Sequence, residues 1–205
     1  MAAMRIKSQW FRQGNARTPE QTASAMAFIT WRVAQNMLSQ MRSAHFDIEI
    51  GPQYFAFTRE VLVFLIQVIE RMAHERMDDA ARDAFMSALV QRVAQVLQDN
   101  EDRLLGAPQR EQASHYARFI DQYNLLADHY ADFGFGTGGP DFSFVRYLGH
   151  RIEALMPEKD RLWVVDQIMA VEVPEAVQIL QRSIQDVLST GPRAPRRSRV
   201  AATGD

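Results

Sequence analysis

One line of polar side chains in the middle of the chain has residue types and a spacing that can do chemistry. Glu60, Gln67 and His74 recur every seven residues, so on a helix they lie along one side, with Glu70 and Arg71 beside them. A buried carboxylate near a histidine is an arrangement in which pKa values shift and general acid–base catalysis becomes possible. The simpler interpretation is that this polar line is the face that the helix shows to water.

A glycine-rich segment, 134–140, is the second candidate. Its glycines permit positive φ angles and a close approach of the backbone to a ligand or partner. It lacks the Gly-Lys-Ser/Thr of a P-loop, and no predicted strand precedes it as in a dinucleotide fingerprint. Phenylalanines at 133, 135, 142 and 144 surround the glycines, which indicates a loop that packs. The predicted ligand or partner residues are Gly134, Phe135, Gly136, Gly138 and Gly139.

The polar line and the glycine-rich segment together suggest one enzyme hypothesis. Its pocket would lie between the second and fourth helices, and residues 134–140 would close it as a lid. The candidate catalytic residues are Glu60, Glu70, His74 and Tyr123. The simpler interpretation of the glycine-rich segment is a connector between two helices.

Metal binding has less support in the sequence. Asp128, His129 and Asp132 cluster near the end of the fourth helix and could hold a hard cation, although a solvated face explains them equally well. Glutamate–histidine pairs at 70/74 and 111/115 have i, i+4 spacing, not the Glu-x-x-His spacing of di-metal centres in helical bundles. There is no cysteine and no Gly-x-Ser-x-Gly elbow, so thiolate chemistry is excluded and a serine nucleophile has no support. No cofactor is predicted.

Helical periodicity dominates the rest of the chain. Apolar residues recur at three and four positions over 18–43, 53–74, 78–105, 110–133, 141–155, 157–172 and 175–189. Residues 45–50 alternate apolar and polar, but a lone strand has no partner, so an extended connector is predicted. Leu162 is predicted to face inward, and Val173-Pro174 is predicted to break or kink the chain between the last two helices.

The second helix, 53–74, is apolar nearly all round between positions 61 and 69. In a soluble protein such a helix must be surrounded by others. This nine-residue stretch is interrupted by Gln67 and flanked by charges, and it is too short for a membrane span, which needs about 20 residues. The expected fold is an all-α, irregular bundle of six to seven helices around this central helix.

Charge divides the chain into three parts. Residues 1–17 carry +4 and residues 190–205 carry +3, which leaves −9 on residues 18–189 out of a net −2. We expect a basic N-terminal segment, a single helical domain over 18–189 and a basic, disordered tail. The basic ends could contact nucleic acid or an anionic membrane, although solvated ends explain them more simply.

The absence of cysteine and of a secretory signal favours a cytoplasmic protein, and the excess of arginine over lysine suggests a bacterial one. Ten methionines and several aromatic residues on amphipathic helices offer adaptable apolar surface. The leading expectation is a non-enzymatic helical module that binds proteins and associates with itself. The alternatives are the helical enzyme and contact with an anionic surface through the basic ends.

Overall fold

The computed structural model describes residues 18–109 and 111–188, and within them it confirms the all-α fold. The predictions for residues 1–17 and 190–205 lie outside the described residues. One very short antiparallel hairpin interrupts the run of helices. The elements are α1 (Pro19–Ser43), α2 (Pro52–His74), α3 (Asp79–Leu105), α4 (His115–Ala131), β1 (Phe135–Gly136), β2 (Gly139–Pro140), α5 (Phe142–Glu153), α6 (Glu158–Gln167) and α7 (Val173–Leu188).

Several helices begin where a side chain can accept hydrogen bonds from the free amides of the first turn. Thr18 and Gln21 form a reciprocal capping box at the start of α1, with both bonds at 3.3 Å. Asp78 caps α3 with a single bond, accepting from Ala81 N at 2.9 Å. Ser114 caps α4 by accepting from Ala117 N, so α4 starts at 115 and not at the predicted 110.

Helix α2 is the centre of the fold, as the sequence predicts. Every residue from Val61 to Ile69 is buried, because α1, α3, α4, α5 and α7 all pack against this helix. Within the described residues, no helix is both long enough and apolar enough to span a bilayer.

Helices α6 and α7 are joined without a break by a π-helical turn, Ile168–Glu172, so of the predicted break or kink at 173–174 the break is wrong. Val173 N donates to Ile168 O, five residues back. Because Pro174 has no N–H to give, the wider turn accommodates it where a regular α-helix would lose a hydrogen bond.

Helix α6, the π-helical turn and α7 form one continuous rod, here called the α6–α7 rod. The π-helical turn also keeps the buried stripe on one side of this rod. Buried residues recur every fourth position from Val164 to Ile184. On a regular α-helix, five such steps would carry the stripe about 200° around the axis. One extra residue in the turn rotates the stripe back by about 100°, so α6 and α7 can face the same core.

Leu162 was predicted to face inward, and the structure shows it 81% exposed. Helix α6 is short, and Val164 and Ile168 make its contact with the core. Leu162 lies two residues before Val164, which places it about 200° away on the opposite face. The next residue, Trp163, is 67% exposed as well.

Candidate functional site

The polar line on α2 is divided between the core and the solvent. Glu60 and Gln67 are buried, with 4% and 5% of their surface exposed, whereas His74 is exposed. The ring of His74 contacts the guanidinium of Arg82 on α3. Glu70 lies near the same guanidinium, with 4.0 Å between Oε1 and Arg82 Nε. The line therefore does not form one site: its start belongs to the core and its end to the surface.

Glu60 is held by side chains from two other helices. Arg151 on α5 donates from Nε to Oε2 at 3.0 Å and from Nη2 to Oε1 at 2.5 Å. Gln122 on α4 adds a third bond to Oε1 at 2.8 Å. These bonds raise the pKa of Arg151 above its usual value, chiefly through the hydrogen bonds to Glu60. A carboxylate bound this fully is suited to joining α2, α4 and α5, not to moving protons.

Tyr123 lies near Gln67 and Glu70, away from Glu60. Burial raises the pKa of its phenol, the charge of Glu70 raises it further, and a hydrogen bond with Gln67 opposes both. The four candidate catalytic residues thus fall into two groups along α2. Glu60 is in the ion pair with Arg151, whereas Glu70 and His74 lie farther toward the C-terminal end of α2 and Tyr123 of α4 interacts with Glu70.

The metal candidates Asp128, His129 and Asp132 are all exposed on α4. His129 Nδ1 lies 2.6 Å from the hydroxyl of Tyr147 on α5, and the two rings meet edge to face. Within the described residues, no group of three histidine or acidic side chains is arranged to hold a metal ion. The solvated-face interpretation of these residues fits their exposure.

The glycine-rich segment was predicted as a loop and forms the β1–β2 hairpin instead, pairing Phe135 with Pro140 and Gly136 with Gly139. Asp141 closes it by accepting from Gly134 N at 3.0 Å, while its other oxygen caps α5 at Phe144 N. Phe133 and Phe135 are half-buried against Phe144, so the prediction that this segment packs holds for them. Gly139 has φ +113° and is buried against α7. Gly138 lies at the hairpin tip.

The structure also contains a buried polar cluster that sequence analysis missed. Glu101 on α3 is fully buried and pairs with Arg59 of α2. His115, the first residue of α4, places Nδ1 2.9 Å from Glu101 Oε2. Burial raises the pKa of Glu101, and the charge of Arg59 is the largest opposing effect. The cluster fixes the start of α4 against α2 and α3.

Another missed residue is Glu172, which ends the π-helical turn with only 1% of its surface exposed. Gln167 donates to its Oε1 at 2.9 Å, and its Oε2 has no hydrogen-bond partner among the described residues. Burial raises the pKa of this carboxyl group. A charge pattern alone could not have located Glu172, because the π-helical turn is what rotates it inward.

A cleft of about 610 Å³ lies between α5 and the α6–α7 rod. A ladder of side chains lines its α5 wall. The Arg146 guanidinium stacks over the Phe142 ring at 5.7 Å and donates from Nε to His150 Nε2 at 3.0 Å. His150 Nδ1 lies 3.0 Å from Glu153 Oε2. Because Nε2 accepts, Nδ1 carries the proton and donates to Glu153.

The opposite wall of this cleft carries both apolar and charged side chains. Leu162, Val165 and Met169 recur along it at three and four residues, with Arg161 and Asp166 beside them. Phe142, on the α5 wall, is 64% exposed. Trp163 follows Leu162 in the chain and is also exposed, but it does not line the cleft. The spacing of apolar residues in 157–172 was visible in the sequence, but it was assigned to the core.

No protein-family model matches the chain, and neither a curated protein nor a solved structure matches it. The function is therefore inferred from the chain's own side chains.

Proposed function

We propose that this protein is a non-enzymatic helical interaction module that associates with a second copy of itself through the cleft between α5 and α6. The observation that carries the proposal is the exposure of large apolar side chains at one place. Phe142 and Leu162, which both line the cleft, are 64% and 81% exposed, and Val165 and Met169 extend the apolar surface between them. Single exposed apolar residues are ordinary, but a contiguous group rimmed by charges is typical of a protein interface.

The charges around the cleft favour a second copy as the occupant. Arg146 and Arg161 supply two positive groups, and Glu153 and Asp166 supply two negative groups. A two-fold interface brings the same patch of each subunit together, so it needs both signs within the patch. The predicted net charge of −9 over residues 18–189 would repel a second copy at a purely acidic surface, whereas this balanced patch would not.

The alternative, a helical enzyme with a pocket between α2 and α4, has less geometric support. Glu60 would be its central acid or base, and both of its oxygens already accept hydrogen bonds from Arg151 and Gln122. His74 and Glu70 lie farther along α2, next to Arg82. A catalytic pair needs groups within hydrogen-bond reach of one reacting atom.

The test is the oligomeric state of the full chain, measured by sedimentation equilibrium and light scattering over a range of concentrations. We expect a dimer that Leu162→Glu converts to a monomer, because a charge in the apolar centre would be buried unpaired. Leu125→Glu is the matched control, since Leu125 is also an exposed leucine, 60% exposed, but lies on α4. It should leave the dimer intact.

Two outcomes would overturn the proposal. One is a monomer at all concentrations in the unsubstituted chain. The other is a dimer that Leu125→Glu weakens as much as Leu162→Glu does. Circular dichroism should show the same helical content in both variants, because neither leucine is part of the buried core.

A further inference from the structure

A second cleft, of about 420 Å³, lies between the C-terminal half of α1 and the first turn of α2. Its volume falls within the range of pockets that bind small molecules, about 300–1,000 Å³. Its walls differ from those of the α5–α6 cleft, because they are mostly polar and hold no carboxylate. The lining residues are Gln35, Leu38, Ser39, Arg42, Ser43 and Tyr54.

One hydrogen-bond donor in this cleft lacks an acceptor. The Tyr54 hydroxyl donates to Gln35 Oε1, which fixes the orientation of the amide. Gln35 Nε2 is enclosed and has no hydrogen-bond partner among the described residues. Leaving a buried donor unpaired is unfavourable, so an acceptor placed beside it would recover a hydrogen bond.

The only charged lining residue is also without a counter-ion. Arg42 is exposed and forms no ion pair within residues 18–109 and 111–188. Arg42 and Tyr54 line the same cleft, and the charge of Arg42, with the bond to Gln35, opposes the rise in the pKa of Tyr54 that burial causes. The cleft thus combines a free guanidinium, an unpaired amide donor and serine hydroxyls on α1.

We propose that this cleft binds a small molecule through an oxyanion group, either a carboxylate or a phosphate. Arg42 pairs with the anion's charge, because a guanidinium presents several donors in the plane of an oxyanion. Gln35 Nε2 donates to a second oxygen after a small movement of the cleft wall, and Tyr54 holds that amide in place. The site is independent of the α5–α6 cleft and of self-association.

The experiment is a titration of the isotope-labelled full chain with sodium phosphate and, separately, with sodium acetate, at constant ionic strength set by chloride. The readout is the side-chain amide signal of Gln35 and the guanidinium signal of Arg42 in NMR spectra. We expect saturable shifts of both signals. Saturation by phosphate alone would identify a phosphate ester site, and saturation by acetate would identify a carboxylate site.

Arg42→Met should weaken binding about tenfold or more, because a charge-assisted hydrogen bond is lost. Arg92→Met is the matched control, an exposed arginine on α3 that should leave binding unchanged. Leu162→Glu should bind the anion normally, so failure of self-association and failure of this site are distinguishable. Shifts that chloride reproduces, or that Arg42→Met and Arg92→Met reduce equally, would overturn the proposal.

Discussion

The ion pair between Glu60 and Arg151 should respond very differently to the loss of each partner. Glu60 is 4% exposed, whereas the Arg151 side chain is 40% exposed. Arg151→Met would leave a buried carboxylate with only Gln122 to satisfy it. Removing one partner of a buried pair typically costs about 3–5 kcal/mol, and we expect about 3 kcal/mol here because Arg151 is partly hydrated.

Glu60→Met removes the buried charge itself. Arg151 can then turn toward water, so the expected loss is within about 1 kcal/mol. The double variant, Glu60→Met with Arg151→Met, should resemble Glu60→Met, because no buried charge remains. For a domain of this size 1 kcal/mol corresponds to about 2–4 °C, so Arg151→Met should lower the Tm by about 6–12 °C.

The measurement is urea and thermal unfolding of the four proteins, followed by circular dichroism. The diagnostic quantity is the difference between the double variant and the sum of the single ones, which should be about 3 kcal/mol in favour of the double variant. Equal destabilisation by Glu60→Met and Arg151→Met, or losses that simply add, would contradict this prediction. Either result would show that the buried charge of Glu60 does not depend on Arg151 for its stability.

Two further predictions concern Glu172 and Asp141. Burial raises the pKa of Glu172 in the folded state, so its contribution to stability is full below the unfolded pKa of about 4.3 and is lost as the pH rises through the folded value. Glu172→Gln should therefore be more stable than the unsubstituted chain at neutral pH, by roughly 1 kcal/mol, with the advantage disappearing in urea titrations below about pH 4; an advantage that grows on acidification would contradict this. Asp141→Ala should lower the free energy of unfolding by about 1–2 kcal/mol, because it removes the cap of α5 and the bond to Gly134 N. Asp141→Asn should lose part of this, because its amide keeps one acceptor oxygen and its NH2 cannot accept from the second backbone N–H. An asparagine variant as stable in urea as the unsubstituted chain would contradict this.

The helices could be predicted because their apolar periods and caps are local. The central position of α2 follows from the nine residues Val61 to Ile69, all apolar except Gln67, which only surrounding helices can cover. Thr18 could be identified as a cap from its position before Pro19 alone. These features need no knowledge of which helices touch.

The polar sites could not be predicted, because they depend on which helices meet. Glu101 and His115 belong to different helices and come together only through tertiary packing. Glu172 faces the core because of the π-helical turn, and the spacing of apolar residues does not predict such a turn. Leu162 had the right spacing for a core residue, but α6 makes its contact through Val164 and Ile168.

At the π-helical turn, the fold is sensitive to the addition or removal of a single residue. Deleting one residue between 168 and 172 would leave a continuous, regular α-helix, but would remove the wider turn that accommodates Pro174. The residues after the deletion would keep the orientation that they have now. Adding a residue there would instead rotate α7 and turn its buried stripe, which includes Leu180 and Ile184, by about 100° away from α2. Among related chains, a deletion inside the turn should therefore occur together with replacement of Pro174, whereas insertions should be rejected.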